Sequence, residues 1–180
     1  MKTVVSIVSV LGLVTSVAYA HHVSDHVVDD VELTKGHARL VVSRSGPSIE
    51  IELYTPTINV LSFDAEPENQ AQRVELDQAL AWLGDANKVF SLSDDASCAP
   101  VVTELNSSII DGSGIPDNSK FHEFDGYYIF ECKNAEKLDQ IKVELFDAYP
   151  AHKEVFTKVQ GQGKTKRGKL LPASTVLKLS

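Results

Sequence analysis

Residues 38–54 read ARLVVSRSGPSIEIELY. Ala38, Leu40 and Val42 share one side of an extended chain, and after a turn at Ser45-Gly46-Pro47 so do Ile49, Ile51 and Leu53. A period of two on both sides of a turn predicts two antiparallel strands in a hairpin. Glu50, Glu52 and Tyr54 then point the other way, to solvent.

Downstream, a short apolar segment, Ile58 to Phe63, leads to Pro67, which suits a helical first turn because its missing N–H has no partner there anyway. Leu76, Ala79, Leu80 and Leu83 recur at helical spacing, and Gly84 is placed to end the helix in a left-handed conformation. This helix should cover one face of the sheet. Lys88 to Leu92 and Val101 to Leu105 read as short strands with Cys98 in the loop between them. Asn106 to Lys120, rich in Ser, Gly, Asp and Asn and holding Pro116, reads as an exposed linker.

Beyond it, Phe124, Tyr128, Phe130 and Cys132 share one strand face, with Glu123, Asp125 and Glu131 opposite. A short helix near Ala135 to Leu138, a strand from Ile141 to Leu145, two hairpin-like strands ending at Pro172 and a closing strand through Val176, Leu177 and Leu179 complete the series. The pattern predicts an α+β fold with largely antiparallel sheets in two β/α halves, 38–105 and 121–180. The longer helix belongs to the N-terminal half and the shorter to the C-terminal half. Residues 106–120 would be a flexible linker, and one disulfide would tie the whole into a compact unit.

Ahead of the hairpin, Lys2, an apolar run from Val4 to Val17, and Ala18-Tyr19-Ala20 have the form of a secretory signal cleaved after Ala20. The run is shorter than the roughly 20 residues a spanning helix needs. Residues 1–20 would be removed, leaving a leader over 21–37 and placing the protein in the periplasm of a Gram-negative bacterium. The 17 basic and 25 acidic residues give a net charge of −8, and loss of Lys2 makes it −9. Nucleic acid and anionic membranes are poor partners for that field, whereas a metal ion is compatible with it. No membrane insertion is expected after cleavage.

Cys98 and Cys132 are the two cysteines, and an oxidising compartment favours joining them. A Cys/His metal site is the alternative, weakened by the absence of a C-x-x-C pair.

Of six histidines, His21, His22 and His26 lie in the stretch HHVSDHVVDD at the start of the mature chain. Imidazole is the commonest neutral ligand for zinc and copper, and a leader of this kind lets several rings converge on one ion. Asp25, Asp29 and Asp30 could add oxygen ligands. A terminal histidine also offers its α-amine and ring nitrogen together, a chelate that suits Cu(II). His37 at the start of the first strand and His122, with Glu123 and Asp125 close by, are further candidates. His152 follows Pro150 in a turn without evident partners.

Lys164 to Lys169, between glycines at 161, 163 and 168, reads as the solvated tip of a hairpin, with a docking site for an acidic partner as the alternative. There is no Gly-x-Ser-x-Gly elbow, phosphate-binding glycine loop or His-Glu-x-x-His helix. The sequence thus advertises no enzyme chemistry.

Several segments resemble the ZrgA family of periplasmic zinc-binding proteins: GHARLVV, IEIELYTPTINVLSF, FHEFDGYYIFEC, LFDAYP and LLPASTVLKL. Both cysteines fall where that family places its pair. The resemblance spans nearly the whole mature chain and implies an α+β periplasmic protein. It further implies zinc binding in acquisition or storage, delivery to a zinc transporter's binding protein, and no catalysis.

The chain departs from the family pattern where a histidine-rich central segment is usual, because 106–120 holds none. It also carries Lys35, Ala65 and Asp125 where histidines are common in the family. The metal ligands expected here are therefore His21, His22, Asp25, His26, His37, His122 and Asp125, for zinc first and copper second. The competing expectation is a metal-free periplasmic interaction module that keeps the fold.

Overall fold

The hairpin forms strands β1 (His37–Ser45) and β2 (Ser48–Pro56), paired antiparallel from Arg39 opposite Tyr54 to Ser45 opposite Ser48. In this computed structural model, residues 32–112, 120–161 and 163–179 are described. The signal segment and most of the leader, including His21, His22, Asp25 and His26, lie outside the described residues. The described residues belong to one compact unit.

The elements that follow are α1 (Gln70–Leu83), α2 (Ala86–Val89), β3 (Phe90–Leu92), β4 (Cys98–Ser107) and α3 (Ser108–Asp111). Next come β5 (Glu123–Cys132), β6 (Gln140–Val143), α4 (Leu145–Ala148), β7 (Glu154–Gly161), β8 (Lys164–Leu170) and β9 (Val176–Lys178). Six strands make one sheet in the order β4-β5-β2-β1-β7-β8, and three make a second in the order β3-β6-β9. All the pairings are antiparallel except β1 with β7, so the fold is α+β.

Alternation in the hairpin extends across the large sheet. Leu40 lies opposite Leu53, Leu53 opposite Gly126, and Leu40 on its other side opposite Thr157. Ala38, Leu40, Val42, Ile49, Ile51, Leu53, Phe124, Tyr128 and Phe130 are all buried on this face. Each large aliphatic or aromatic side chain buried in this way contributes about 1.5–3 kcal/mol.

The small sheet and α1 cover that face. Phe90 of β3 meets the Tyr128 ring edge-on at 5.1 Å, and the Tyr128 hydroxyl donates to the Leu83 carbonyl at the end of α1, 2.8 Å away. Arg44 donates to the carbonyls of Ala135 and Leu138, tying β1 to the loop before β6. No helix among the described residues is long and apolar enough to cross a membrane.

Several local expectations change. Pro67 precedes α1, and Asn69 is its cap, its side chain accepting from the Gln72 N–H at 3.0 Å. Gly84 ends the helix in a right-handed conformation, φ −72°, and is needed for room instead: a Cβ there would lie 2.8 Å from the Leu80 carbonyl oxygen. Tyr54 is buried, because the Arg39 guanidinium lies 4.4 Å over its ring. The segment around Lys88 is helical before β3, and residues 135–137 make a single 3₁₀ turn.

Cys98 opens β4 directly opposite Cys132 of β5, and the two form a disulfide. Asn106 and Ser107 complete β4 and Ser108–Asp111 turn as α3, so much of the expected linker is regular structure. Strands from both sides of that segment interleave, with β5 between β4 and β2. The basic run 164–169 is the return strand β8, and the hairpin tip lies before it, where Gly163 takes φ +73°.

Candidate functional site

One end of the large sheet gathers the polar side chains of interest. β1 and β7 begin there, β5 begins there, and β2 ends there in Pro56. The chain then makes a 3₁₀ turn over Thr57–Asn59, and this turn organises the site. Thr55, Thr57 and Asn59 are all buried, so each of their polar groups needs a partner.

For Asn59 and Thr57 those partners include the backbones of two predicted histidines. The Asn59 amide donates to the His37 carbonyl at 2.8 Å, while its oxygen accepts from the Gly36 N–H at 2.6 Å. The Thr57 N–H donates to the His122 carbonyl at 2.7 Å, and the Thr57 hydroxyl also lies 3.1 Å from it. Asp64 closes the arrangement by accepting from the Thr57 hydroxyl and from the His122 N–H, the latter at 3.1 Å. One short turn therefore fixes His37 on one side and His122 on the other.

The rings are held as well. His37 Nδ1 is hydrogen-bonded to the Thr34 hydroxyl at 3.0 Å, and the ring meets Phe156 edge-on at 5.3 Å. His122 Nδ1 is hydrogen-bonded to the Ser108 hydroxyl at 2.9 Å. Among the described residues neither Nε2 has a hydrogen bond, so in both rings Nδ1 is anchored and Nε2 is the nitrogen left for a ligand. Metal-bound imidazoles are commonly oriented in this way, by a hydrogen bond at the other nitrogen.

Asp125 is placed differently. It lies opposite Tyr54, which lies opposite Arg39, in one row across the outer face of the sheet. Its charge acts on Arg39, whose pKa burial pushes down and the carboxylates of Glu123 and Asp125 pull back up. A carboxylate already answering a half-buried guanidinium is a poorer metal ligand.

The structure thus brings His37 and His122 to one sheet end and leaves Asp125 in the adjoining row. Among the described residues, no group of three or more His, Cys, Asp and Glu side chains is arranged to hold a metal ion.

Thr57, Asn59, Asp64 and the partners of His152 escaped the sequence reading. Asn59 showed only as a polar interruption in Ile58 to Phe63 and Asp64 as the polar residue that follows it; a buried turn's polar residue inside an apolar segment was the available signal. His152 is fully buried: its Nδ1 lies 2.9 Å from the Tyr149 carbonyl and its Nε2 2.8 Å from the Thr55 hydroxyl. A carbonyl can only accept, so Nδ1 carries the proton and Nε2 accepts from Thr55. Burial holds its pKa down, to about 4. It is a structural imidazole, already spent on both nitrogens.

The positions of the departures are also informative. Lys35 lies in the exposed turn before His37, Ala65 follows Asp64, and Asp125 is two residues beyond Glu123 in β5. All three belong to the segments that build this sheet end. Glu32 and Lys120, 2.7 Å apart, join the segment entering β1 to the one entering β5.

Residues 33–179 match the family model described as ZrgA family zinc uptake protein. No curated protein matches the chain.

Proposed function

The chain belongs to the ZrgA family of zinc uptake proteins, and on that premise we propose that it is a periplasmic zinc-binding protein that buffers the ion or delivers it to a zinc transporter's binding protein, without catalysis. The observation that carries this reading is the pair His37 and His122. Both are fixed by the same turn, with Nδ1 anchored on a hydroxyl and no hydrogen bond at Nε2 among the described residues. Neutral imidazole nitrogen is a preferred donor for zinc, and structural zinc takes four ligands.

Two histidines do not make such a set. Further ligands come from His21, His22, His26 and Asp25, whose chemistry suits the same ion and which become terminal when the signal is removed after Ala20.

The test is calorimetric titration of zinc into the mature chain and into a chain lacking residues 21–26. Truncation should abolish most binding, and the His122→Ala chain should bind more weakly than the parent. Unchanged binding after truncation excludes the leader as ligand source.

A second reading takes its support from the departures from the family pattern, Lys35, Ala65 and Asp125 standing where histidines are common. Under that reading the protein is a periplasmic interaction module that has kept the fold and lost the ligands, and neither chain binds zinc. Copper held by the α-amine and ring of His21 is separated by titrating copper in the same way: its binding would survive His122→Ala and be lost when cleavage is displaced from Ala20.

A further inference from the structure

The edge of the large sheet at β8, two strands away from β1, carries a second chemical signature. β8 pairs with β7 on one side, and among the described residues no strand pairs with its other side. An edge of this kind presents backbone N–H and C=O groups to any extended chain.

The opposite edge is blunted. In β4, Pro100 lacks a donor, and the register shifts between Pro100 and Val102. β8 has neither interruption: its register with β7 is continuous from Lys164 opposite Gly161 to Leu170 opposite Val155. The strand reads KTKRGKL, and every residue from Lys164 to Lys169 is exposed. Lys164, Lys166, Arg167 and Lys169 thus concentrate positive charge on a chain whose net charge is −8.

Beside the strand, on the inner face of the sheet, lies a cleft of about 450 Å3. Val42, Val159 and Leu179 give it an apolar floor, and Lys164, Lys166 and Arg44 stand at its rim.

We infer that β8 is a docking edge for an extended acidic segment of another protein, which adds to the sheet as a seventh strand. Its backbone pairs with β8, its carboxylates add to the positive outer face of the strand, where Lys169 already meets Glu154 at 3.3 Å, and an apolar side chain enters the cleft on the inner side. Strand addition supplies affinity through the backbone and specificity through alternate side chains. A second copy of this chain does not fit, because β8 against β8 sets cations against cations. A lipid surface would use the charge but neither the edge nor the cleft.

The probe is a fluorescein-labelled peptide of eight residues alternating Glu and Val, titrated into the full mature chain at low salt, with an alternating Lys and Val peptide beside it. The acidic peptide should bind, with affinity falling about tenfold or more in the Arg167→Glu/Lys169→Glu chain and on addition of salt. Hydrogen exchange should show protection of β8 amides on binding. Three results overturn the inference: equal binding of the two peptides, undiminished binding by the double variant, or binding of phosphatidylserine vesicles without binding of the acidic peptide. Absence of peptide binding, with self-association of an Arg167→Thr/Lys169→Thr chain, also overturns it and leaves the cations as guards of the edge. Zinc titration of the single Arg167→Glu chain should be unchanged, which separates this surface from the sheet-end histidines.

Discussion

Acidification should charge His152 and loosen the sheet end from within. The ring is fully buried and neutral, with Nδ1 on the Tyr149 carbonyl and Nε2 receiving the Thr55 hydroxyl. A proton on Nε2 would set two donors against each other and leave a cation buried away from water. Burial accordingly lowers the folded pKa from 6.5 to about 4. Because the folded value is the depressed one, the stabilisation is whole above pH 6.5. It is lost as pH falls toward 4, where the unfolded chain takes up the proton before the folded one does. At 1.36 kcal/mol per pH unit the loss is about 3 kcal/mol.

Trp82 is the natural reporter, since its ring lies 5.1 Å from Tyr149, which in turn lies 6.5 Å from His152. Urea unfolding of the parent and of His152→Gln would be followed by Trp82 fluorescence at pH 7 and pH 4. Carboxylates contribute to both proteins, so the comparison isolates the imidazole. The variant should be less stable at pH 7 by about 1–3 kcal/mol for the disturbed buried hydrogen bonds, yet lose about 3 kcal/mol less than the parent on acidification. Parallel pH dependences in the two proteins would refute the assignment of His152 as the buried neutral group.

Other outcomes follow from the same structure. Replacing Cys98 and Cys132 with serine opens a bridge between residues 34 apart and should cost about 3–4 kcal/mol in the chain-entropy account; an unchanged urea midpoint would contradict it. Tyr128→Phe removes the donor to the Leu83 carbonyl and should cost about 1–2 kcal/mol by the same unfolding assay, with a neutral result showing that water replaces the bond. Placing histidine at Lys35, Ala65 and Asp125 together should raise zinc affinity in calorimetry, and no gain would mean that these positions do not reach the ion.

The large sheet was legible because its strands alternate strictly: Ala38 to Val42, Ile49 to Leu53 and Phe124 to Cys132 bury one face and present the other. Pairing between distant strands was not, because nothing in β7 or β1 marks their parallel contact. The basic run was misplaced at a hairpin tip since glycines at 161 and 163 precede it and Gly168 interrupts it, and only register shows which glycine turns. At the sheet end, His37 and His122 stood out as residue types, but what positions them did not. Thr57, Asn59 and Asp64 act through backbone carbonyls and N–H groups, which leave no pattern in side-chain periodicity. His152 was passed over for the same reason: its partners are a carbonyl and a threonine from β2, 97 residues away.

The most direct test of the zinc reading is elemental analysis of the purified mature protein, prepared under metal-replete conditions and with its N-terminus fixed by mass. The account predicts a chain beginning at His21 that retains stoichiometric zinc after desalting. A chain that begins there and retains no stoichiometric zinc, copper or nickel would contradict it.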